Sequence, residues 1–120
     1  MSAVSTHVLD TMLGEPATGI VVRLEGAGSG ELGRGTTDAD GRISDFGVAS
    51  LSAGVYRLVF ETGPYLSQLG SGRAGAAEPD ASEPPFFPEV VVTFAADGLR
   101  PRYHVPLLLS LYSYSTYRGS

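Results

Sequence analysis

Cysteine is missing from this chain of 120 residues, and so are lysine and tryptophan. Without a thiol there is no disulfide framework and no thiolate metal site. Nothing in the composition then asks for an oxidising compartment, and a cytoplasmic protein is the default expectation. Basic charge is scarce. Eight Lys plus Arg, all of them Arg, stand against 13 Asp plus Glu, for a formal net charge of −5. An extended nucleic-acid footprint needs clustered basic residues, so nucleic acid is not an expected partner. No polybasic segment is present to hold a membrane surface, and no apolar run approaches the roughly 20 residues that span a bilayer. Met1 to His7 has neither the basic start nor the apolar stretch of a signal peptide.

What is plentiful is punctuation: 16 Gly and 8 Pro among 120 residues imply many turns and short strands. Strands are read at Val4 to Asp10, Ile20 to Leu24, Glu31 to Thr37 (a polar edge), Glu89 to Phe94, Arg102 to Ser110 and Tyr112 to Tyr117. The clearest starts at Gly54, with Tyr56, Leu58 and Phe60 on one face. Ile43 to Val48 is a weak strand or connector. Asp97-Gly98 reads as the turn of a hairpin that pairs Arg102 to Ser110 back on the preceding strand. Pro64 to Leu69 is the one plausible helix, residues 70–83 read as a mobile loop, and Phe86-Phe87 is expected to anchor the loop's far end by burial. Strands at this spacing with a single short helix fit one all-β domain over 1–120, an antiparallel β-sandwich rather than a βαβ fold.

Candidate reactive groups are few. His7 and His104 are the two histidines, and both lie on predicted strands. Either they are unrelated hydrogen-bonded residues, or both face one pocket as acid–base groups near neutral pH. Two histidines without cysteine make a poor zinc site, so no metal is expected. Arg42 directly follows the turn Asp38 to Gly41, whose short-range geometry would position its guanidinium fork for a carbonyl or an anion. Asp10 is too close to His7 along the strand to orient it, because the two leave on opposite faces. No Gly-x-Ser-x-Gly elbow supports a serine triad. The glycine-rich loop Gly26 to Gly30 lacks the ending of a phosphate cradle. Tyr112, Tyr114 and Tyr117 read as packing and subunit-contact residues.

Six stretches then carry a resemblance. They are Ser5 to Thr11 with Gly14, Pro16 and Ala17; Thr37 to Arg42; Tyr56 to Leu58; Phe87 to Val92; Tyr103 to Ser110; and Tyr114 to Ser120. Together they resemble the transthyretin-related proteins that act as 5-hydroxyisourate hydrolases, and the terminal Tyr117-Arg118-Gly119-Ser120 is the most specific of them. The resemblance implies a transthyretin-like sandwich of two four-stranded sheets, assembled as a homotetramer with active sites at the dimer–dimer interface and no cofactor. It implies hydrolysis of 5-hydroxyisourate, in urate degradation, to a ureidoimidazoline carboxylate by opening a cyclic amide. Carried over by motif, the catalytic positions are His7, Arg42, His104 and Ser120, with Tyr117 and Arg118 joining His7, Arg42 and Ser120 in substrate binding. His104 is the expected general base. Leu111, where the family usually has proline, and Arg102, where another histidine is common, depart from its pattern. A carrier of the thyroid-hormone-binding transthyretin type is the alternative.

Overall fold

A computed structural model describes residues 3–71 and 84–120. Nine strands and one helix follow in order: β1 (Val4–Asp10), β2 (Glu15–Pro16), β3 (Val21–Gly26), β4 (Gly30–Thr36), β5 (Arg42–Ile43), β6 (Gly54–Glu61), α1 (Gly63–Ser71), β7 (Val90–Ala96), β8 (Tyr103–Leu109) and β9 (Tyr114–Thr116). One sheet runs β2-β1-β8-β9, with β5 also paired to β1; the other runs β4-β3-β6-β7. This is the expected transthyretin-like arrangement of two packed sheets with one short helix, except that β5 makes the first sheet five-stranded where four strands were expected.

Alternation builds the core. Val4, Thr6, Val8 and Asp10 of β1 are buried while Ser5, His7 and Leu9 between them are half-buried. Val22 and Leu24 of β3, Leu58 and Phe60 of β6, and Leu107 and Leu109 of β8 point into the same apolar cluster. Each such side chain contributes about 2 kcal/mol by leaving water. The helix is tied down by polar contacts at its start. Thr62 donates from Oγ1 to the Phe87 carbonyl at 2.6 Å, and Tyr65 donates from its hydroxyl to Asp10 Oδ2 at 2.8 Å. Burial, and then the Asp10 carboxylate, push the Tyr65 phenol above the ordinary tyrosine value.

Four expectations need correction or completion. First, Asp97-Gly98 does not close a hairpin, because β7 pairs with β6 whereas β8 pairs with β1 and β9. The chain crosses between sheets here so that Val90 and Val92 can share the core with Val105 and Leu107 from the opposite side. The Tyr103 hydroxyl closes this corner, donating to Asp97 Oδ1 at 2.8 Å and accepting from the Gly98 amide at 3.2 Å. Second, β1 and β8 run parallel, with Ser5 opposite His104 and His7 opposite Pro106. Third, Phe86 is 69% exposed and Phe87 half-buried. Only Phe87 packs against the core; Phe86 meets Tyr112 in a tilted contact and Phe87 meets Tyr114 edge-on, at ring distances of 6.2 and 5.1 Å. Fourth, β5 is only two residues long, and the final strand begins at Tyr114, because Ser110 and Ser113 close a turn ahead of it (amide to carbonyl 2.9 Å). The loop expected at 70–83 lies outside the described residues, except for its first two positions, which end α1.

Candidate functional site

The outward face of the β1/β8 pair is where the motif residues meet. In the parallel register Ser5 sits beside His104, and Ser5 Oγ lies 2.8 Å from His104 Nδ1. On its other edge β1 carries β5, which sets Arg42 directly opposite His7 and Ile43 opposite Thr6. Paired residues share a sheet face. His7 and Arg42 therefore leave outward together, as Thr6 and Ile43 turn inward to the core.

The turn before Arg42 is held by a single carboxylate. Asp38 Oδ1 accepts from the amides of Asp40 at 2.9 Å and Arg42 at 3.0 Å. These bonds, that to Arg42 first, hold the Asp38 carboxyl below the usual carboxylate range. Gly41 takes φ +72° and donates its amide to the Asp38 carbonyl at 2.9 Å. Its own carbonyl accepts from the Val8 amide at 2.7 Å, and a Cβ at this position would collide with the Val8 carbonyl oxygen. The sequence Asp-Ala-Asp-Gly is thus a device that lays Arg42 against β1.

The tail arrives from the other side. Strand β9 pairs with β8, and Thr116 Oγ1 donates to the Pro106 carbonyl at 2.7 Å. The chain then follows the edge of β8 in the same antiparallel register, His104 opposite Gly119, and the Gly119 amide donates to the His104 carbonyl at 2.8 Å. A Cβ on Gly119 would collide with His104 Cδ2 and lie 3.3 Å from Pro106 Cγ. Only glycine lets the backbone lie this close to the imidazole.

Together these elements bound a cleft of about 410 Å³ lined by Ser5, Arg42, Arg102, His104, Gly119 and Ser120, among others. Three of the four expected catalytic residues, Arg42, His104 and Ser120, share it. His7 does not line it, yet its charge reaches His104 from the same sheet face. Tyr117 and Arg118 are exposed and lie outside the lining. Burial, then the positive charge of Arg42, then that of His7, hold His104 below the ordinary histidine value of 6.5. His104 is therefore a neutral imidazole at neutral pH, able to take a proton beside a guanidinium able to hold an anion. Asp10 is separate from all this. It is buried, and its Oδ1 accepts from the amides of Met12 and Leu13 at 2.9 and 3.1 Å.

Two cleft residues were not assigned a role from the sequence. Ser5 was visible there only as the first residue of the Ser5 to Thr11 stretch. Its meeting with His104, 99 positions away, depends on a parallel pairing that no local pattern announces. Arg102 stood out only as a departure, although its position two residues before His104 places both on one strand face.

Comparison with known proteins gives a consistent result. The family model described as HIUase/Transthyretin family matches residues 4–119. A 5-hydroxyisourate hydrolase of Caulobacter vibrioides is 42% identical, with both chains covered in full. Among solved structures, the 5-hydroxyisourate hydrolase of Klebsiella pneumoniae superposes with a TM-score of 0.78 at 35% identity, covering 99% of this chain and 100% of that one. Transthyretin from Sparus aurata superposes equally well, at 0.78, with 28% identity and coverage of 99% and 97%.

Proposed function

The chain belongs to the HIUase/Transthyretin family, and from that premise we propose that it hydrolyses 5-hydroxyisourate in urate degradation, with His104, His7, Arg42 and Ser120 carrying the reaction. The observation that carries this reading is the single cleft that joins a depressed-pKa imidazole, a guanidinium and the tail. In it, His104 takes a proton from water while the water oxygen bonds to the cyclic amide carbon. Arg42 holds the oxyanion as it develops. The carbon–nitrogen bond then breaks, the ring nitrogen receives the proton from His104, and the ring-opened acid is released. Ser120 contacts the substrate from the cleft wall, His7 acts through His104 from the same sheet face, and Tyr117 and Arg118 carry the tail to the cleft. These steps use the protein's own side chains, so the reading includes no cofactor.

In this reading residues 1–120 are one domain and four copies assemble as a homotetramer, with each cleft at the contact between dimers. The exposed aromatic residues Phe86, Tyr112 and Tyr117 favour such assembly. Light scattering on the purified protein tests it. A cytoplasmic location fits a chain without disulfide-forming residues, and no helix of the described residues is long and apolar enough to cross a membrane. The carrier alternative asks for an apolar channel. Two arginines and a histidine in the cleft speak against it.

The test is the ultraviolet decay of freshly generated 5-hydroxyisourate, with and without protein. Faster decay is expected with protein. An unchanged decay, together with tight binding of thyroid hormone, would reverse the ranking.

A further inference from the structure

We propose that Ser5 is a positioning residue for this hydrolysis: it keeps the His104 proton on Nδ1, so that Nε2 offers its lone pair to the cleft. The inference rests on the hydrolase reading and deepens it.

The geometry begins with the register. Ser5 and His104 are aligned across the parallel β1/β8 pair, and Ser5 Oγ is 2.8 Å from Nδ1. The flanking residues prevent slippage, because Val4 and Thr6 are fully buried and Thr6 Oγ1 donates to the Val105 carbonyl at 2.5 Å. A serine hydroxyl can donate or accept, so this distance alone leaves two tautomers. The hydrolase reading selects between them. If Ser5 Oγ donates to Nδ1, Nε2 holds the hydrogen and His104 has no lone pair left for water; if Nδ1–H donates to Ser5 Oγ, Nε2 is open. We take the second, in which the nitrogen beside Ser5 carries the hydrogen. The other nitrogen, Nε2, is then the proton acceptor.

Gly119 removes the remaining freedom. A half-turn of the imidazole exchanges Nδ1 with Cδ2, and Cδ2 is the atom that packs against Gly119. Turned over, Nδ1 would face the glycine backbone and the Ser5 hydroxyl would lose its partner. Ser5 and Gly119 thus bracket the ring on opposite edges. In the reaction the water proton passes to Nε2 as the oxygen–carbon bond forms. The charge of the resulting imidazolium is shared with Ser5 through Nδ1–H. Nε2 then returns the proton to the leaving ring nitrogen, and the imidazole is restored.

The test has two arms. Nitrogen-15 spectra of the wild-type protein without substrate should show His104 as the Nδ1–H tautomer. Protonation on Nε2 instead overturns the proposal, whether or not any variant folds. In the second arm Ser5→Ala should lower kcat by roughly tenfold to a hundredfold, less than the 10²-fold to 10⁴-fold attributed to the base itself, with KM nearly unchanged. Ser5→Thr, which restores the hydroxyl, should recover most of the rate. A Ser5→Ala protein with wild-type kcat overturns the inference while leaving the hydrolase reading intact. A wild-type protein that fails to speed substrate decay removes the hydrolase reading, and with it this one.

Discussion

Arg23 and Arg42 occupy outward positions on opposite sheets, and their surroundings differ in kind. Arg23, on β3, sits among Glu61 at 2.9 Å, Glu25 at 3.6 Å and Glu89 at 3.6 Å. Its charge is answered within the sheet. Among the described residues no ion pair within 4 Å forms on Arg42, whose charge acts on the imidazole of His104 and, less closely, on the Asp38 carboxylate. Two guanidiniums of equal intrinsic chemistry therefore do different work. One closes a surface network, and the other keeps its fork available to an incoming anion. Charge counting along the sequence cannot separate them, because the acids that answer Arg23 include Glu61 at the end of β6 and Glu89 just before β7, both far along the chain.

Substitutions can break or sharpen this contrast. The largest effect is expected from His104→Ala, which should cost about 10²-fold to 10⁴-fold in turnover, the usual worth of a general base. Near-normal substrate decay in this variant would sink the mechanism. Arg42→Gln follows, with a loss of about 10²-fold to 10³-fold, as for removal of one oxyanion donor. It should also move the pH profile. In the wild type His104 titrates below 6.5, so the acid limb of kcat/KM should lie below that value. Removing Arg42 takes away a charge that opposes protonation, and the limb should shift upward; a static limb would show that Arg42 does not act on His104. The same shift has a stability consequence. His104 favours its neutral form in the fold, so its contribution is present above 6.5 and lost as pH falls through its lowered value. Next, Gly119→Ala should push the tail off the imidazole and lower kcat by about tenfold through lost orientation, with little change in melting temperature. Smallest of all, Arg23→Ala should leave turnover unchanged and cost about 0–1 kcal/mol in denaturant unfolding, as exposed ion pairs do. A turnover loss there comparable to that of Arg42→Gln would erase the distinction between the two arginines.

Local pattern made much of the fold legible. The alternation in β1 and β6 announced their buried faces, and the Asp38 to Gly41 turn announced a positioned Arg42. What remained hidden was long-range. Asp97-Gly98 has the chemistry of a hairpin turn, yet the need to place Val105 and Leu107 opposite Val90 and Val92 sends the chain across the sandwich. Pairing of β1 with β8 leaves no trace in either segment. The candidate site was legible for a different reason. His7, Arg42, His104 and Ser120 were named through their motifs, since spacing alone could not bring residues 7, 42, 104 and 120 together. Ser5 stayed unassigned because its partner lies at the far end of the chain.

That join between the first long strand and the last has a further consequence. Loop closure over almost the entire polypeptide must precede any cleft, so its assembly waits for the most distant contacts in the molecule. A partly collapsed chain, however rich in native hairpins, is catalytically blank. Activity should consequently vanish in step with the cooperative melting of the whole sandwich, which makes the rate of ring opening a gauge of how many molecules are fully folded.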